Sequence, residues 1–409
     1  MISRFFKYCR RTFHLRELLD NVEDGRIAPD LSTEGVWFSM FLVFLLRLGS
    51  LNGLEEVLRD PSRRSKWSRI LGGGPPSADA IGYFAERVGC DSLRRFQHNI
   101  YTRLQRNRHI AKFRIGGWSA LALDGHELFA SYDLHCEKCR TRTVKTKKGP
   151  RIQYYHSIVA AHLVGGPIPI LLDAEPMWPG EDEIAAACRL LERMQKQYPK
   201  AFDVVTADAI YADPRIISLL RRHNKHLIAV LKENRPALLT ETQSLCQLVE
   251  PVRCKKGRNE YAWWDIERLL TPSNPYGTVR VVRSQETKPL KRETITTNWF
   301  WVTTFSKKEA STETIWNIGH KRWDIENPGF NYLVTYLRLD HNYRHDSNAI
   351  LAFVLTAFIV YALLCAFHHF NLKPHARDSC CLSHLFRLFW LTLDPFLNQS
   401  RASPIRGPN

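Results

Sequence analysis

Three carboxylates stand where an acid is either costly or chemically pointed. Asp124 closes an apolar half-strand in ALALDGHEL, and Asp208 closes another in VVTADAIYAD. A buried carboxylate without a partner takes up a proton, so two on adjacent strands call for a shared cation. Glu326 lies in NIGHKRWDIENPGFNYLVTY (317–336), where Trp316, Gly319 or His320, Trp323 and Asn327 recur at helical intervals. Asp324 precedes it by two residues, so on a helix one acid can face a site while the other meets solvent. Pro328 predicts a break just after Glu326, because proline lacks a backbone donor and restricts Asn327. Three carboxylates with no obligatory nitrogen ligand suit a hard cation, Mg²⁺ or Mn²⁺. Two such ions roughly 3.5–4 Å apart can activate a water or a 3′-hydroxyl and steady the leaving oxygen in phosphodiester displacement.

The elements that must position these groups begin at Trp118. WSALALDGHELFASY, IQYYHSIVAAHLV and IPILLDAEPM are β-branched or aromatic runs. The last two are separated only by Gly165-Gly166-Pro167, too short for a crossover, so they are predicted antiparallel. An amphipathic helix (181–198), the strand FDVVTADAI, a helix from Asp213-Pro214 through Arg222, the strand HLIAVLKEN and a helix from Arg235 follow. This β-β-β-α-β-α-β-α order predicts an α/β fold with a mixed sheet flanked by helices, similar to the order in ribonuclease H-like domains. Asp124 and Asp208 would then lie on the first and fourth strands, where the connection direction reverses. Residues 115–248 and 306–370 read as two parts of this core and 249–305 as a β-rich insertion. Residues 1–114 read as a separate helical region, and 371–409 as a fraying tail. Within 1–114, the segments 78–89 and 91–108 allow a helix-turn-helix or a bundle whose basic solvated face carries Arg94, Arg95, Arg103, Arg106 and Arg108.

The balance of 58 Lys and Arg against 41 Asp and Glu gives a net charge of +17, which favours a polyanionic partner, nucleic acid being the common case. Ten scattered cysteines do not form a disulfide framework, and MISRFFKYCRRTFH lacks the apolar core of a signal peptide. Both predict a cytoplasmic protein. Ala349 to Phe367 runs 19 residues without a charge, long enough to span a bilayer. It stands alone, with polar or histidine-rich flanks, in a chain of mean hydropathy −0.30. It is read as a helix buried on all sides, with no membrane partner.

LALDG around Asp124, VVTADAIYAD around Asp208 and HKRWDIENPGF around Glu326 resemble the motifs of DDE transposases of bacterial insertion sequences. The resemblance runs from about Trp118 to Phe367, in the branch with a β-rich insertion between the second Asp and the Glu. It implies that Asp124, Asp208 and Glu326 are a catalytic, metal-binding triad that cuts and joins DNA ends. It also implies Mg²⁺ or Mn²⁺ as cofactor, double-stranded DNA (transposon ends and target) as partner, and a homodimer in the DNA complex. Related enzymes often have a tyrosine three residues before an arginine near the glutamate, and a lysine seven after the glutamate. Arg322 fits the arginine, while Gly319 and Leu333 stand in the other two places. DNA contacts in this helix therefore fall to His320, Lys321 and Arg322, with an ion pair to Asp324 or Glu326 as the alternative for Arg322. The rival readings are a non-catalytic DNA-binding derivative, a structure-specific nuclease on the same fold, and a membrane protein anchored by 349–367.

Between the first two strands, HCEKCRTRTVKTKKGPR carries Arg140, Arg142, Lys145, Lys147, Lys148 and Arg151. These six predict a phosphate-tracking loop close to the site, and Lys232 in LKEN is a further DNA-binding candidate. Cys136-x-x-Cys139, with His135 nearby and His156 later, supplies half a zinc site, so zinc is not expected and a reduced pair in a loop is the reading. Asp173, Glu175 and Glu181 are candidates for spare ligands but read as turn and helix-start acids.

Overall fold

A computed structural model describes residues 1–270, 277–289 and 293–399; part of the expected insertion and the last ten residues of the expected tail lie outside them. The β-branched and aromatic runs form β1 (Arg114–Ile115), β2 (Trp118–Ser131), β3 (Arg140–Thr146), β4 (Gly149–Leu163), β5 (Ile170–Pro176) and β6 (Val204–Ala207). They continue with β7 (His226–Val230), β8 (Val252–Lys256), β9 (Asn259–Leu269), β10 (Val279–Pro289) and β11 (Thr294–Thr303). All eleven join one sheet in the order β3-β4-β2-β6-β7-β11-β10-β9-β8, with β5 on β4 and β1 on β2. β2, β6 and β7 run parallel, while β4 is antiparallel to β2. Helices Glu183–Gln197 and Pro214–Arg222 make the crossovers into β6 and β7. The short runs VVTA and HLIAV are buried along almost their whole length, as parallel strands covered on both faces must be. The fold is mixed α/β and ribonuclease H-like.

Four expectations are corrected here. The basic stretch after β2 is not a loop: β3 pairs with β4 from Arg140↔Tyr155 to Thr146↔Gly149, making a two-stranded arm. The insertion is continuous with the core sheet, because Trp301–Thr303 of β11 pair with β7 and cover what would otherwise be an open edge. The N-terminal helices are not separate either. The Cys90–Arg106 helix buries Leu93, Phe96, Ile100 and Leu104. Its Arg94, 7% exposed, donates to Asp173 Oδ1 of β5 at 2.9 Å. Arg95, Arg106 and Arg108 stay exposed. Finally, the chain after 371 does not fray as far as Gln399. Helices Pro374–Asp378, Leu382–Leu391 and Leu393–Gln399 form, Leu385, Phe389 and Leu397 are buried, and Phe389 meets Phe5 with ring centroids 5.3 Å apart.

The helix Ser347–Ala366 runs through the centre of the molecule. Asp346 caps it by accepting from the Asn348 and Ala349 backbone N–H groups, and every residue from Ala349 to Ala366 is buried. By length and composition it would cross a membrane, but helices Thr33–Leu45, Ala78–Ala85 and Cys90–Arg106 and strand β5 enclose it. A helix apolar all round has to be enclosed in this way if it is not in lipid.

Candidate active site

β2 and β6 are paired through Leu123↔Ala207, so Asp124 and Asp208 follow at one level where the two strands part. Glu326 is brought to them by a helix laid across the sheet. Ser311 caps its start by accepting from the Thr314 N–H, and it runs from Thr312 to Lys321. The Thr206 hydroxyl donates to the Ile318 carbonyl at 3.4 Å, tying the helix to β6. Gly319 lets it settle on Trp301, since a Cβ at that position would lie 2.4 Å from Trp301 Nε1. The glycine at the family's tyrosine position thus has a packing reason. Gly319→Ala should cost about 1–3 kcal/mol by overpacking. A thermal melt checks it, and an unchanged midpoint would show that Trp301 yields freely.

Past Lys321 the expected break at Pro328 does not occur. The helix widens into a π-helical stretch, Ile325–Asn331, which absorbs the proline that a regular α-turn would exclude. The Tyr361 hydroxyl of the central helix donates to the Pro328 carbonyl at 2.6 Å, and Phe330 stacks on His126 of β2 at 4.3 Å. Glu326 is therefore held between β2 and the central helix. Asp324 turns aside, its Oδ2 accepting from the Gly165 N–H at 3.3 Å.

Arg322 is 5% exposed and sits between two of the acids. Its Nη1 lies 2.7 Å from Glu326 Oε1 and 3.7 Å from Asp124 Oδ2, and its Nε is buried with no partner among the described residues. Lys232 Nζ is 3.1 Å from Asp208 Oδ1. Burial pushes the Asp124 carboxyl up to about 7, with Glu326 and Glu183 adding to the rise and Arg322 opposing it. At Asp208 burial also works upward, but the Ala209 backbone N–H, Lys232 and Arg322 outweigh it and hold that carboxyl below its ordinary value.

The chain's similarity agrees with this geometry. A family profile described as a transposase DDE domain matches residues 139–363, more than half of the sequence. The chain belongs to the DDE transposase family. A comparison with curated proteins gives no match. The matched segment contains Asp208 and Glu326, whereas Asp124 lies upstream of it and is placed by the β2–β6 pairing alone.

In this DDE transposase, Glu183 is a fourth acid that the sequence reading passed over. It lies in the first turn of the Glu183–Gln197 helix and accepts from the Tyr211 hydroxyl at 2.6 Å. A Cβ on Gly125 would come within 2.5 Å of its Oε2, so the glycine after Asp124 makes room for this carboxylate. That glycine, in LALDGH, was the available signal. The acids considered instead are structural. Asp173 and Glu175 belong to β5 rather than to a turn, and they pair with Arg94, Arg189 and Arg193, while Glu181 pairs with Arg189.

The family generally uses divalent metal ions, and the residues here fit that use. Asp124, Asp208 and Glu326 offer oxygen donors only, and the Asp124 carboxyl is raised partly by neighbouring negative charge that a cation would relieve.

The basic candidates divide. His320 faces the sheet, with Nε2 2.5 Å from the buried Glu286 Oε1 and its ring against Trp299, Trp301 and Trp316. His320 is thus engaged with the sheet, and its contact with DNA remains a proposal. Lys321 is exposed, 3.4 Å from Asp324. Arg140 donates to the Ser157 hydroxyl, Arg142 pairs with Glu127 at 2.6 Å, and Arg151 lies over Tyr132. Lys145, Lys147 and Lys148 are exposed at the far end of the arm. Asp124 pairs with Ala160 and the arm ends at Gly149. At roughly 3.4 Å per residue the lysines stand about 37 Å along β4 from the site. The expected position close to the site is corrected accordingly.

The reading of Cys136 and Cys139 as half a site is also corrected. His156 of β4 and His345, just before the central helix, join them, and the four ligand atoms all lie within 4.8 Å of one another.

Proposed function

We propose that this transposase cleaves and strand-transfers DNA at the ends of an insertion sequence, in the cytoplasm, with Asp124, Asp208 and Glu326 as its catalytic metal ligands. What supports this reading is that Asp124 and Asp208 follow the last paired residues of the parallel strands β2 and β6, and that Arg322 lies 3.7 Å from Asp124 and 2.7 Å from Glu326. Bound Mg²⁺ or Mn²⁺, as two ions, would supply the positive charge that favours deprotonated water or a 3′-hydroxyl and offsets charge on the leaving oxygen. Arg322 lies between the partly exposed Asp124 and Glu326 carboxylates and holds them near each other. Lys232, exposed beside Asp208, can then take a phosphate oxygen of the strand being cut. The arm cations Arg140, Arg142, Lys145, Lys147, Lys148 and Arg151 follow the duplex away from the site, and Lys321 meets it nearer the acids. A homodimer would place two such sites on two DNA ends, with the helical region 1–114 sharing in end binding.

The test is incubation of the purified chain with DNA carrying the element's ends and Mg²⁺ or Mn²⁺. Nicked and joined products are expected. Cleavage without joining would favour the nuclease reading, and binding without cleavage the non-catalytic derivative. Binding itself should weaken steeply with salt, because phosphate contacts release counterions. About six contacts give a log–log slope of roughly −5. A flat salt dependence on duplex DNA would remove the nucleic-acid reading altogether.

A further inference from the structure

We propose that Cys136, Cys139, His156 and His345 form a closed, four-coordinate zinc site that is structural and separate from the carboxylates. Zinc takes Cys sulfur at about 2.3 Å and His nitrogen at about 2.0–2.1 Å in a tetrahedron. That geometry sets two sulfurs about 3.8 Å apart, and a sulfur and a nitrogen about 3.5 Å apart. Here the sulfurs are 3.8 Å apart, and His156 Nε2 lies 3.4 Å from Cys136 Sγ and 3.2 Å from Cys139 Sγ. His345 Nε2 is 3.2 Å from Cys139 Sγ. Four of the six edges of the tetrahedron that zinc would fill are thus already near their expected lengths, and all six are within 4.8 Å. A redox-active Cys pair would need no second histidine arriving from a segment 206 residues away in sequence. Two thiolates and two imidazoles also select zinc over the hard cations that carboxylates prefer.

Groups around the four ligands point the same way. The Cys136 backbone N–H donates to Cys139 Sγ at 3.3 Å, holding the two ends of the Cys-x-x-Cys turn together. Asn342 Nδ2 lies 3.2 Å from His345 Nδ1, while Asn342 Oδ1 is buried with no partner among the described residues. Turning that amide over lets Oδ1 accept from Nδ1–H, which fixes the tautomer that leaves Nε2 free for a metal. Phe129 packs against both imidazoles, at 5.5 and 5.4 Å between ring centroids.

The site also has a place in the architecture. Cys136 and Cys139 follow β2, the strand of Asp124, His156 is on β4, and His345 precedes the cap of the central helix. A metal there fastens the outer end of β2 to the chain that leads from the Glu326 segment into the central helix. It would hold two of the site's supporting elements in register without touching the reaction.

Zinc content of the full-length chain, purified without chelator, tests this directly. About one zinc per chain should survive dialysis, and Co²⁺ in its place should give the visible absorption of a tetrahedral thiolate complex. Cys136 and Cys139 should resist alkylation until a strong chelator is added, and the chelator should lower the melting temperature. Cys139→Ser should lose the metal, while Cys254→Ser should keep it. If Cys139→Ser does not fold, the cobalt spectrum and alkylation pattern of the unaltered chain still decide. A wild-type chain with neither zinc nor a cobalt spectrum, or one isolated with a Cys136–Cys139 disulfide, overturns the proposal.

Discussion

Asp124→Ala, Asp208→Ala and Glu326→Ala should each abolish DNA cleavage while leaving DNA binding largely intact. Each removes one carboxylate from the proposed metal site, and a misplaced cation would forfeit several kcal/mol of transition-state stabilisation. At about 1.4 kcal/mol per tenfold, that is a fall on the order of 10³ or more in cleavage rate. Binding should survive because the proposed contacts are cations spread over the arm and the surface rather than the acids. Gel-based nicking and a binding titration on the same variants separate the two effects. A variant that retained near-wild-type nicking would strike its residue from the triad. Glu183→Gln is the informative companion. Its carboxylate rests over Gly125 and raises Asp124, so its loss should alter cleavage less than loss of a direct ligand.

The elements that support the acids were legible because each depends on local pattern. Apolar strands ending in an acid, a glycine-proline turn too short for a crossover and alternating amphipathic helices determine the order of the core. Features that depend on distant partners were not legible. Arg94 looks like one more cation on a basic helix, and only the fold shows it buried against Asp173. Pro328 reads as a helix break because its local chemistry forbids an α-turn. The π-helical alternative is braced by Tyr361, far along the chain, whose hydroxyl donates to the Pro328 carbonyl. Cys136-x-x-Cys139 reads as half a site for the same reason, since His345 is distant in sequence. Glu183 was missed because an acid in the first turn of a helix is ordinary there. Its meaning comes from Gly125 on another strand.

Val360→Asp should unfold the protein. Val360 lies near the middle of the central helix and is fully buried, as are its neighbours along that helix. An aspartate there has no low-cost state: ionised it is an unpaired charge in an apolar surround, and protonated it still lacks a hydrogen-bond partner. The cost, at least several kcal/mol, is comparable to the roughly 5–15 kcal/mol that keeps a domain folded. The damage would also reach the acids, because the same helix supplies Tyr361 to the Pro328 carbonyl behind Glu326. Expression should therefore yield insoluble or protease-sensitive chain, whereas Val360→Ala, which only leaves a small cavity, should stay folded with a lowered melting temperature. Fractionation decides between the two environments that such an apolar helix could occupy. Wild-type chain should be recovered in the detergent-free fraction. Recovery only from alkali-washed membranes would overturn the buried-helix assignment, and with it the placement of Glu326 against the sheet.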